Sequence, residues 1–203
     1  MDTRGFVHRG KTTGFRELGA VDVTALGAKV RALGEDDWRR HDAGKPNRFD
    51  TLGGTQHLVL RFVHQVAVPT AWYALPAWEE WAPLVQPLLD EAARRLGYAS
   101  AEFPRVMLAR LPAGAEITAH RDGGTFPAFP HKLHIALDTN PHVEFYVDPE
   151  WRHIARGQLV EVNNNLTHAV RNDGDTPRIH LIFECFESPV DLQRHDRVGA
   201  RSA

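Results

Sequence analysis

The residues most able to do chemistry are a histidine and an aspartate, His120 and Asp122, separated by one residue. Residues two apart on an extended strand point to the same side, so this imidazole and this carboxylate can reach one metal ion. A second histidine, His168, begins a later β-rich segment. Two neutral imidazoles and one carboxylate form the facial triad of non-haem Fe(II) oxygenases, which leaves three positions open. Those positions would accept a bidentate 2-oxo acid and then O₂.

The His-x-Asp pair alone is weak evidence, because such pairs also occur in solvated turns. Seven of the twelve histidines lie between His120 and His180, which adds to the case for a metal site. Arg178 lies ten residues after His168 and heads the apolar segment RIHLIFE. We expect the two strands, joined by the turn NDGDTP, to be antiparallel neighbours, with Arg178 directed into the cavity of His168. Its guanidinium could hold the distal carboxylate of 2-oxoglutarate; a surface salt bridge is the alternative.

The segments around these residues predict a mainly β fold with flanking helices. From Phe103 onward, turn residues separate the β-rich segments VMLARL, AEITAH, KLHIALDT, HVEFYVD, GQLVEVN, HAVRN and RIHLIFECF. Short strands with such breaks are typical of an antiparallel sandwich or barrel. We therefore expect a double-stranded β-helix, the jelly-roll of cupin-like proteins, to position the metal ligands.

The first hundred residues predict elements that support this β core. We expect a helix over 21–33, a polar loop over 40–55, a strand over 56–63 and a helix over 76–97. Pro83 and Pro87 lie inside the last helix, and we expect them to split or kink it. The tryptophans and leucines of that helix should form a face packed on the sheet.

Length and composition fit one domain over residues 1–203: a support region over 1–100, a catalytic jelly-roll over 101–187 and a tail over 188–203. The formal net charge of −2 gives no electrostatic reason to expect nucleic acid or an anionic membrane as a partner. No stretch approaches the roughly 20 apolar residues of a membrane span. The single cysteine, Cys185, excludes an internal disulfide and, with no secretory leader, predicts a cytoplasmic location. The oligomeric state is not indicated.

The stretch HRDGG…HKLHIALDTN…GQLVEVNNNLTHAVRNDGDTPRIHLIFE resembles the catalytic domain of the aspartyl/asparaginyl β-hydroxylase family. The resemblance covers roughly residues 55–187. It implies a double-stranded β-helix hydroxylase that uses Fe(II), 2-oxoglutarate and O₂. By position, His120 and His168 match the two iron histidines of the family, and Arg178 matches its arginine for the distal carboxylate. His134 matches a histidine that contacts the other end of the cosubstrate.

Asp122 marks a departure from part of that family. The animal members that modify EGF-like domains carry glycine at this position, whereas this chain should have a complete triad. The chain is in this respect closer to bacterial relatives, including those similar to free-proline hydroxylases. The substrate of the animal enzymes is therefore not carried over. A small-molecule or peptidyl amino acid is expected, and a free one is favoured because the short chain offers no second domain for docking a protein.

Several other residues are candidates for contact with cosubstrate or substrate. Lys132 and His134 should face the same side of one strand. Lys132 could attract a carboxylate or simply lie at the cavity rim, and His134 could be a hydrogen-bonded core histidine. Further substrate candidates are Arg110, Phe126 in the Gly- and Pro-containing loop over 123–130, and Asn165 in a run of three asparagines. A hydrophobic cluster and a turn-building role are the alternatives for Phe126 and Asn165.

Two other classes of protein remain open from these residues. A cupin-like metalloenzyme that uses Zn²⁺ or Mn²⁺ for hydrolysis or isomerisation could have the same three ligands. A jelly-roll module could instead bind a 2-oxo acid without turnover. Arg178 argues against the first class, which needs no clamp for a distal carboxylate. Succinate formation in the presence of O₂ would separate an oxygenase from the second class.

Overall fold

The computed structural model describes residues 11–46, 54–65, 70–122 and 130–188. These residues contain the helices α1 (Thr24–Arg31), α2 (Glu35–Ala43) and α3 (Trp78–Leu96). They also contain the strands β1 (Phe15–Ala20), β2 (Gln56–Val63), β3 (Trp72–Ala74), β4 (Ala101–Glu102), β5 (Val106–Leu111), β6 (Glu116–His120), β7 (His131–Asp138), β8 (Val143–Val147), β9 (Glu150–Arg152), β10 (Gln158–Val162), β11 (His168–Asn172) and β12 (Arg178–Glu187). None of the helices in these ranges is both long and apolar enough to cross a membrane.

Two antiparallel sheets face each other, which confirms the expected mainly β jelly-roll. Within the described ranges, the larger sheet has the strand order β1-β10-β7-β12-β5-β2-β3, with β4 paired to β12. The smaller sheet has the order β6-β11-β8-β9. The larger sheet takes β1, β2 and β3 from the first hundred residues. The sheet is therefore not confined to residues 101–187, where the sequence had placed the catalytic jelly-roll.

The larger sheet separates two hydrophobic cores. On one face, helices α1 and α3 cover a cluster that includes Trp81, Leu89, Leu133 and Ile135. On the other face, residues of both sheets form a second cluster that includes Phe145. Because side chains alternate along a strand, β7 places Leu133 and Ile135 in the first core and turns Lys132 and His134 toward the smaller sheet. That alternation is the one expected for this strand.

Helix α2 occupies residues 35–43, and its last residues fall in the range where the sequence predicted a loop. Three acidic residues lie in its first turn, where they interact favourably with the helix dipole. The Asp37 carboxylate accepts a hydrogen bond from the Gly34 N–H at 3.0 Å. Trp38 is the buried residue of this helix, at 2% exposure. A single apolar anchor gives no periodic pattern, which is why the sequence did not predict the helix.

Helix α3 runs as one helix through Pro83 and Pro87, so the expected split does not occur. The two prolines are four residues apart and both are exposed, which places them on the solvent side of the helix. The carbonyl groups left without an N–H partner there can be hydrated by water. The opposite side packs on the larger sheet through buried residues such as Trp81 and Val85.

Strands β11 and β12 are not neighbours, so this expectation was wrong. β11 pairs with β6 and β8 in the smaller sheet, whereas β12 pairs with β5 and β7 in the larger sheet. The short connection between them crosses from one sheet to the other. The buried Asn172 side chain stabilises this corner by donating to the carbonyl oxygens of Pro112 at 3.0 Å and Thr176 at 2.9 Å. His168 and Arg178 therefore approach the interior from opposite sheets.

Candidate metal centre

The smaller sheet brings together the three predicted metal ligands. His120 ends β6 and His168 begins β11, and the two residues are paired across these strands. Asp122 lies two residues beyond β6, and its N–H donates to the Asn164 carbonyl at 3.2 Å. The Nε2 atom of each histidine lies 3.7 Å from Asp122 Oδ1. One donor atom from each residue therefore lies within 4.8 Å of the other two.

Backbone carbonyl groups fix the orientation of both imidazoles. The Nδ1 atom of His120 is 2.7 Å from the Thr118 oxygen, and that of His168 is 3.0 Å from the Leu166 oxygen. A carbonyl oxygen can only accept, so each Nδ1 carries the proton and each Nε2 keeps its lone pair. Burial lowers the pKa of His168, which favours the neutral form. Both rings therefore direct the Nε2 atom to the same point, as metal-binding histidines do.

The carboxylate of Asp122 is oriented in a similar way. Its Oδ2 accepts from Lys132 Nζ at 3.3 Å and from Asn164 Nδ2 at 2.8 Å, so Oδ1 is directed toward the two imidazoles. The Asn164 amide is itself oriented by Lys11, which donates to its oxygen. Burial by itself would raise the pKa of Asp122. The Lys132 cation, the Asn164 hydrogen bond and His168 outweigh it and hold that pKa well below its ordinary value.

Arg178 heads β12 and is fully buried. Among the described residues, its Nε and Nη1 atoms have no hydrogen-bond partner and no acidic side chain pairs with it. Its guanidinium carbon lies 5.1 Å from the centre of the Phe145 ring. Burial lowers the pKa of Arg178 to about 9, so the group is still charged at neutral pH. A buried charge without a partner is unfavourable, and an incoming carboxylate would supply both the missing charge and the missing hydrogen bonds.

One cavity of about 440 Å³ between the two sheets connects the metal ligands with Arg178. Its wall contains His120, Asp122, His168, Lys132, His134 and Arg178. This volume lies within the roughly 300–1,000 Å³ of small-molecule sites. The donor set of two imidazole nitrogens and one carboxylate fits Fe(II), and the orphaned guanidinium in the same cavity fits a dicarboxylic cosubstrate.

His134 lies in this cavity, with its ring edge-on to Phe145 at 5.7 Å between centroids. Burial and the Arg178 cation lower its pKa well below the ordinary value, so the ring is neutral. Its Nδ1 atom is buried without a partner in the described part of the chain. His134 is thus one more polar group on the wall that a ligand could satisfy.

Two of the remaining candidates lie away from the cavity and one is not described. The Arg110 guanidinium donates to Glu35 and, at 2.6 Å, to Gln56 Oε1, so its donors are engaged outside the cavity wall. Asn165 is exposed, and its neighbour Asn164 lines the cavity instead. Phe126 lies outside the described residues.

Strand β2 and the residue directly before it, Thr55, contribute cavity residues that the sequence did not single out. Thr55 and His57 both line the wall and are buried. Thr55 Oγ1 has no partner among the described residues. Burial and the Lys45 cation lower the pKa of His57 to about 3. The signal in the sequence was a histidine inside the apolar strand QHLVLRFV, but nothing in the local pattern indicated which cavity it faces.

Arg105 and Glu184 are also cavity residues that were missed. Arg105 Nη1 donates to Glu184 Oε2 at 2.5 Å. Glu184 lies within β12 of the larger sheet, and Arg105 directly precedes β5, the neighbouring strand. Their long separation in sequence concealed the pair.

Comparisons with known proteins agree with this geometry. The family model described as aspartyl/asparaginyl β-hydroxylase matches residues 73–188, more than half of the chain. No curated protein sequence matches. A 2OG-Fe(II) oxygenase family oxidoreductase from Burkholderia pseudomallei is similar in structure, with a TM-score of 0.54 at 15% identity, covering 83% of this chain and 91% of that one.

Two prolyl hydroxylases are also similar in structure. The viral collagen prolyl hydroxylase of Paramecium bursaria Chlorella virus-1, solved with 2-oxoglutarate, has a TM-score of 0.56 at 11% identity, covering 88% of this chain and 98% of that one. A Pseudomonas putida prolyl-4-hydroxylase has a TM-score of 0.51 at 16% identity, covering 88% and 95%. At these identities the likeness establishes the fold, while the family model establishes the family. The chain belongs to the aspartyl/asparaginyl β-hydroxylase family and is an Fe(II)- and 2-oxoglutarate-dependent hydroxylase.

Proposed function

We propose that this protein hydroxylates an unactivated carbon of an amino acid, either free, carrier-bound or within a peptide. His120, Asp122 and His168 hold Fe(II), and Arg178 binds the distal carboxylate of 2-oxoglutarate. One observation carries the assignment of these roles. Three oriented donor atoms converge in a cavity whose wall also contains a buried guanidinium, and the Nε and Nη1 atoms of that guanidinium have no partner among the described residues.

The residues around the ligands keep them in the binding form. The carbonyl groups of Thr118 and Leu166 accept from Nδ1 of the two histidines, so Nε2 is the atom of each ring that can bind the metal. Lys132 and Asn164 keep Asp122 ionised and turn one of its oxygens toward the metal position. When bound, the iron and 2-oxoglutarate supply the oxidant that can remove hydrogen from an unactivated carbon.

The larger sheet orients the cosubstrate. Arg178 can bind a carboxylate through two parallel hydrogen bonds. The Thr55 hydroxyl, which no described residue contacts by a hydrogen bond, lies on the same wall. Along β7 and β12, His134 lies between Arg178 and Lys132, the residue that contacts Asp122. From this position His134 can contact the other end of the cosubstrate. Apolar residues such as Phe145 and Ile117 complete the wall and exclude water from the reacting groups.

Two facts support the class of substrate. Two of the similar structures are of prolyl hydroxylases, and the matched family is named for aspartyl and asparaginyl residues. Both facts favour an amino-acid substrate. We further propose a cytoplasmic location, because Cys185 is a buried, unpaired thiol.

The two other classes of protein explain fewer observations. A hydrolytic or isomerising metalloenzyme with the same ligands has no use for a buried guanidinium next to the metal position. A binding module would retain the metal ligands and Arg178 but would form no succinate.

Succinate release in air tests the proposed function. The protein with Fe(II), 2-oxoglutarate and a pool of amino acids and short peptides should form succinate, and mass spectrometry should find a product with one added oxygen. His168→Ala should abolish both signals, whereas His142→Ala, at an exposed position outside the cavity, should leave them unchanged. A folded, metal-loaded protein that forms no succinate with or without substrate would contradict the proposal.

A further inference from the structure

The cavity holds a second charged feature that the chemistry above does not use. Arg105 and Glu184 form an ion pair on its wall, with Nη1 and Oε2 2.5 Å apart. Their side chains are only 14% and 6% exposed. The backbone reinforces the pair, because the Glu184 N–H donates to the Arg105 oxygen at 2.9 Å.

Glu184, one member of this pair, lies far from Arg178 along the same strand, β12. Glu184 follows Arg178 by six residues on β12, which corresponds to roughly 20 Å of extended chain. An even separation also places the two side chains on the same face of the sheet. The five-carbon cosubstrate is shorter than this backbone separation, so 2-oxoglutarate held by Arg178 leaves the Arg105 and Glu184 end of the cavity to another ligand.

The carboxylate of the metal ligand Asp122 lies level with the Arg105 and Glu184 end of the cavity. Glu184 is paired in register with Lys132, whose ammonium contacts Asp122. The next inward pair is Ile182 with His134. A molecule bound at Arg105 and Glu184 would therefore lie next to the metal position, and farther from Arg178 than His134 does. That is where a substrate has to lie if 2-oxoglutarate occupies the Arg178 side.

The charges of the pair specify what could bind there. Arg105 has five N–H donors and Glu184 has two acceptor oxygens, so each can bind a ligand while keeping the other as a partner. The pair is neutral overall but strongly dipolar, and the nearby wall is apolar, including Phe62 and Met107. Lys132 adds a second cation on the same wall, so a simple cation would be repelled by both Arg105 and Lys132, and a simple anion would leave the Glu184 carboxylate without a ligand partner. A ligand with one positive and one negative group at short distance complements both.

The stability of the fold offers little reason for this pair. Removing two charges from water is unfavourable, and buried ion pairs are often replaceable by apolar residues without loss. Binding of a charged ligand would explain why this ion pair is present on the cavity wall.

From these observations we propose that Arg105 and Glu184 bind the α-carboxylate and the α-ammonium of a free α-amino acid, and that this amino acid is the substrate. The inference rests on the proposed function and narrows it. An amino acid joined to a carrier lacks the α-carboxylate charge, and an internal residue of a peptide lacks both charges.

The first arm of the test uses the wild-type protein and needs no variant. The proteinogenic L-amino acids are supplied as a mixture with Fe(II), 2-oxoglutarate and air, and any acid that gains one oxygen is identified by mass spectrometry. Its N-acetyl derivative and its carboxamide are then compared with it. The free acid should be hydroxylated with matching succinate release, and each derivative should lose at least tenfold in kcat/KM.

The second arm uses charge-neutral variants. Glu184→Gln and Arg105→Gln should raise the KM for the amino acid by roughly ten- to a hundredfold, because each removes a charge-assisted hydrogen bond. The KM for 2-oxoglutarate should not change. Glu144→Gln is the matched control, since Glu144 pairs with Arg171 at the same 2.5 Å but is exposed and outside the cavity wall. It should leave both KM values unchanged.

Anaerobic binding of Fe(II) and 2-oxoglutarate, followed by visible absorbance, separates the possible failures. If the complex forms but no free amino acid is hydroxylated, or if the blocked derivatives react as well as the free acid, the inference is overturned and the proposed function stands. If the complex does not form, the proposed function fails and the inference fails with it.

Discussion

Arg178 and His168 lie on opposite sheets, yet their side chains line one cavity. A short corner between β11 and β12 carries the chain from the metal ligand to the guanidinium. The three candidate metal ligands are therefore held by the smaller sheet, while Arg178 and His134, which we propose orient the cosubstrate, are held by the larger one. This division allows each group of residues to be tested separately.

Arg178 should be unfavourable for the stability of the ligand-free protein. Its charge is buried without an acidic partner in the described residues, so Arg178→Met should stabilise the ligand-free fold by on the order of 1 kcal/mol. The same variant should lose the rise in Tm that 2-oxoglutarate gives the iron-loaded wild type. Both effects can be measured by thermal unfolding with and without 2-oxoglutarate. A variant that still shows the full rise in Tm would exclude Arg178 as the carboxylate ligand.

Asn164 and Asn165 provide a matched pair of substitutions. Asn164 donates to Asp122 Oδ2 at 2.8 Å, whereas Asn165 is exposed and outside the cavity wall. Asn164→Ala should weaken Fe(II) binding by roughly ten- to a hundredfold, as loss of a partner of a metal ligand does. Asn165→Ala should bind Fe(II) as the wild type does. Equal anaerobic dissociation constants for the two variants would show that Asn164 does not orient Asp122.

Thr55 should contribute to cosubstrate binding without contributing to the fold. Its hydroxyl is buried on the cavity wall and has no partner among the described residues. The isosteric change Thr55→Val should raise the KM for 2-oxoglutarate several-fold and leave Tm unchanged or slightly higher. Thr139→Val is the control, because its hydroxyl is equally buried and unpartnered in that part of the chain but lies outside the cavity wall. The same rise in KM in both variants would count against a contact with Thr55.

His57 should make stability depend on pH. Its pKa is lowered from 6.5 to about 3 by burial and by Lys45, so between these values the unfolded chain binds a proton that the folded chain does not. The contribution to stability is complete above pH 6.5 and is lost as the pH falls toward 3, with a slope of up to about 1.4 kcal/mol per pH unit. His57→Gln should reduce the slope in urea unfolding between pH 7 and pH 5. An unchanged slope would show that His57 is not buried as a neutral ring.

Local pattern was enough to predict the strands and the group of metal ligands. Alternation in KLHIALD fixed the two faces of β7, and the His-x-Asp spacing put two ligands on one side of a strand end. The third ligand and Arg178 were found because each heads a β segment of distinct composition. The structure brings these four side chains to one cavity, as expected from the sequence.

Strand pairing was not predictable in the same way. The short turn after β11 suggested a hairpin, but the chain instead turns a corner at Asn172. The Asn172 side chain donates both to the nearby Thr176 carbonyl and to the Pro112 carbonyl, which is 60 residues away in sequence. Thr55 and His57 line the cavity because β2 pairs with β5. No motif in the local sequence predicts this pairing. Arg110 was chosen for its charge, but Glu35 of the unpredicted helix α2 engages it elsewhere.

The central claim is that one cavity holds an Fe(II) ligand triad and a carboxylate-binding arginine. Anaerobic titration of the protein with Fe(II) and 2-oxoglutarate tests it most directly, because 2-oxoglutarate bound to the iron gives a visible charge-transfer absorption. The wild type should develop this absorption with saturable dependence on 2-oxoglutarate. His168→Ala should show none, and Arg178→Met should require a much higher concentration. A wild-type protein that binds Fe(II) but never develops the absorption would contradict the claim.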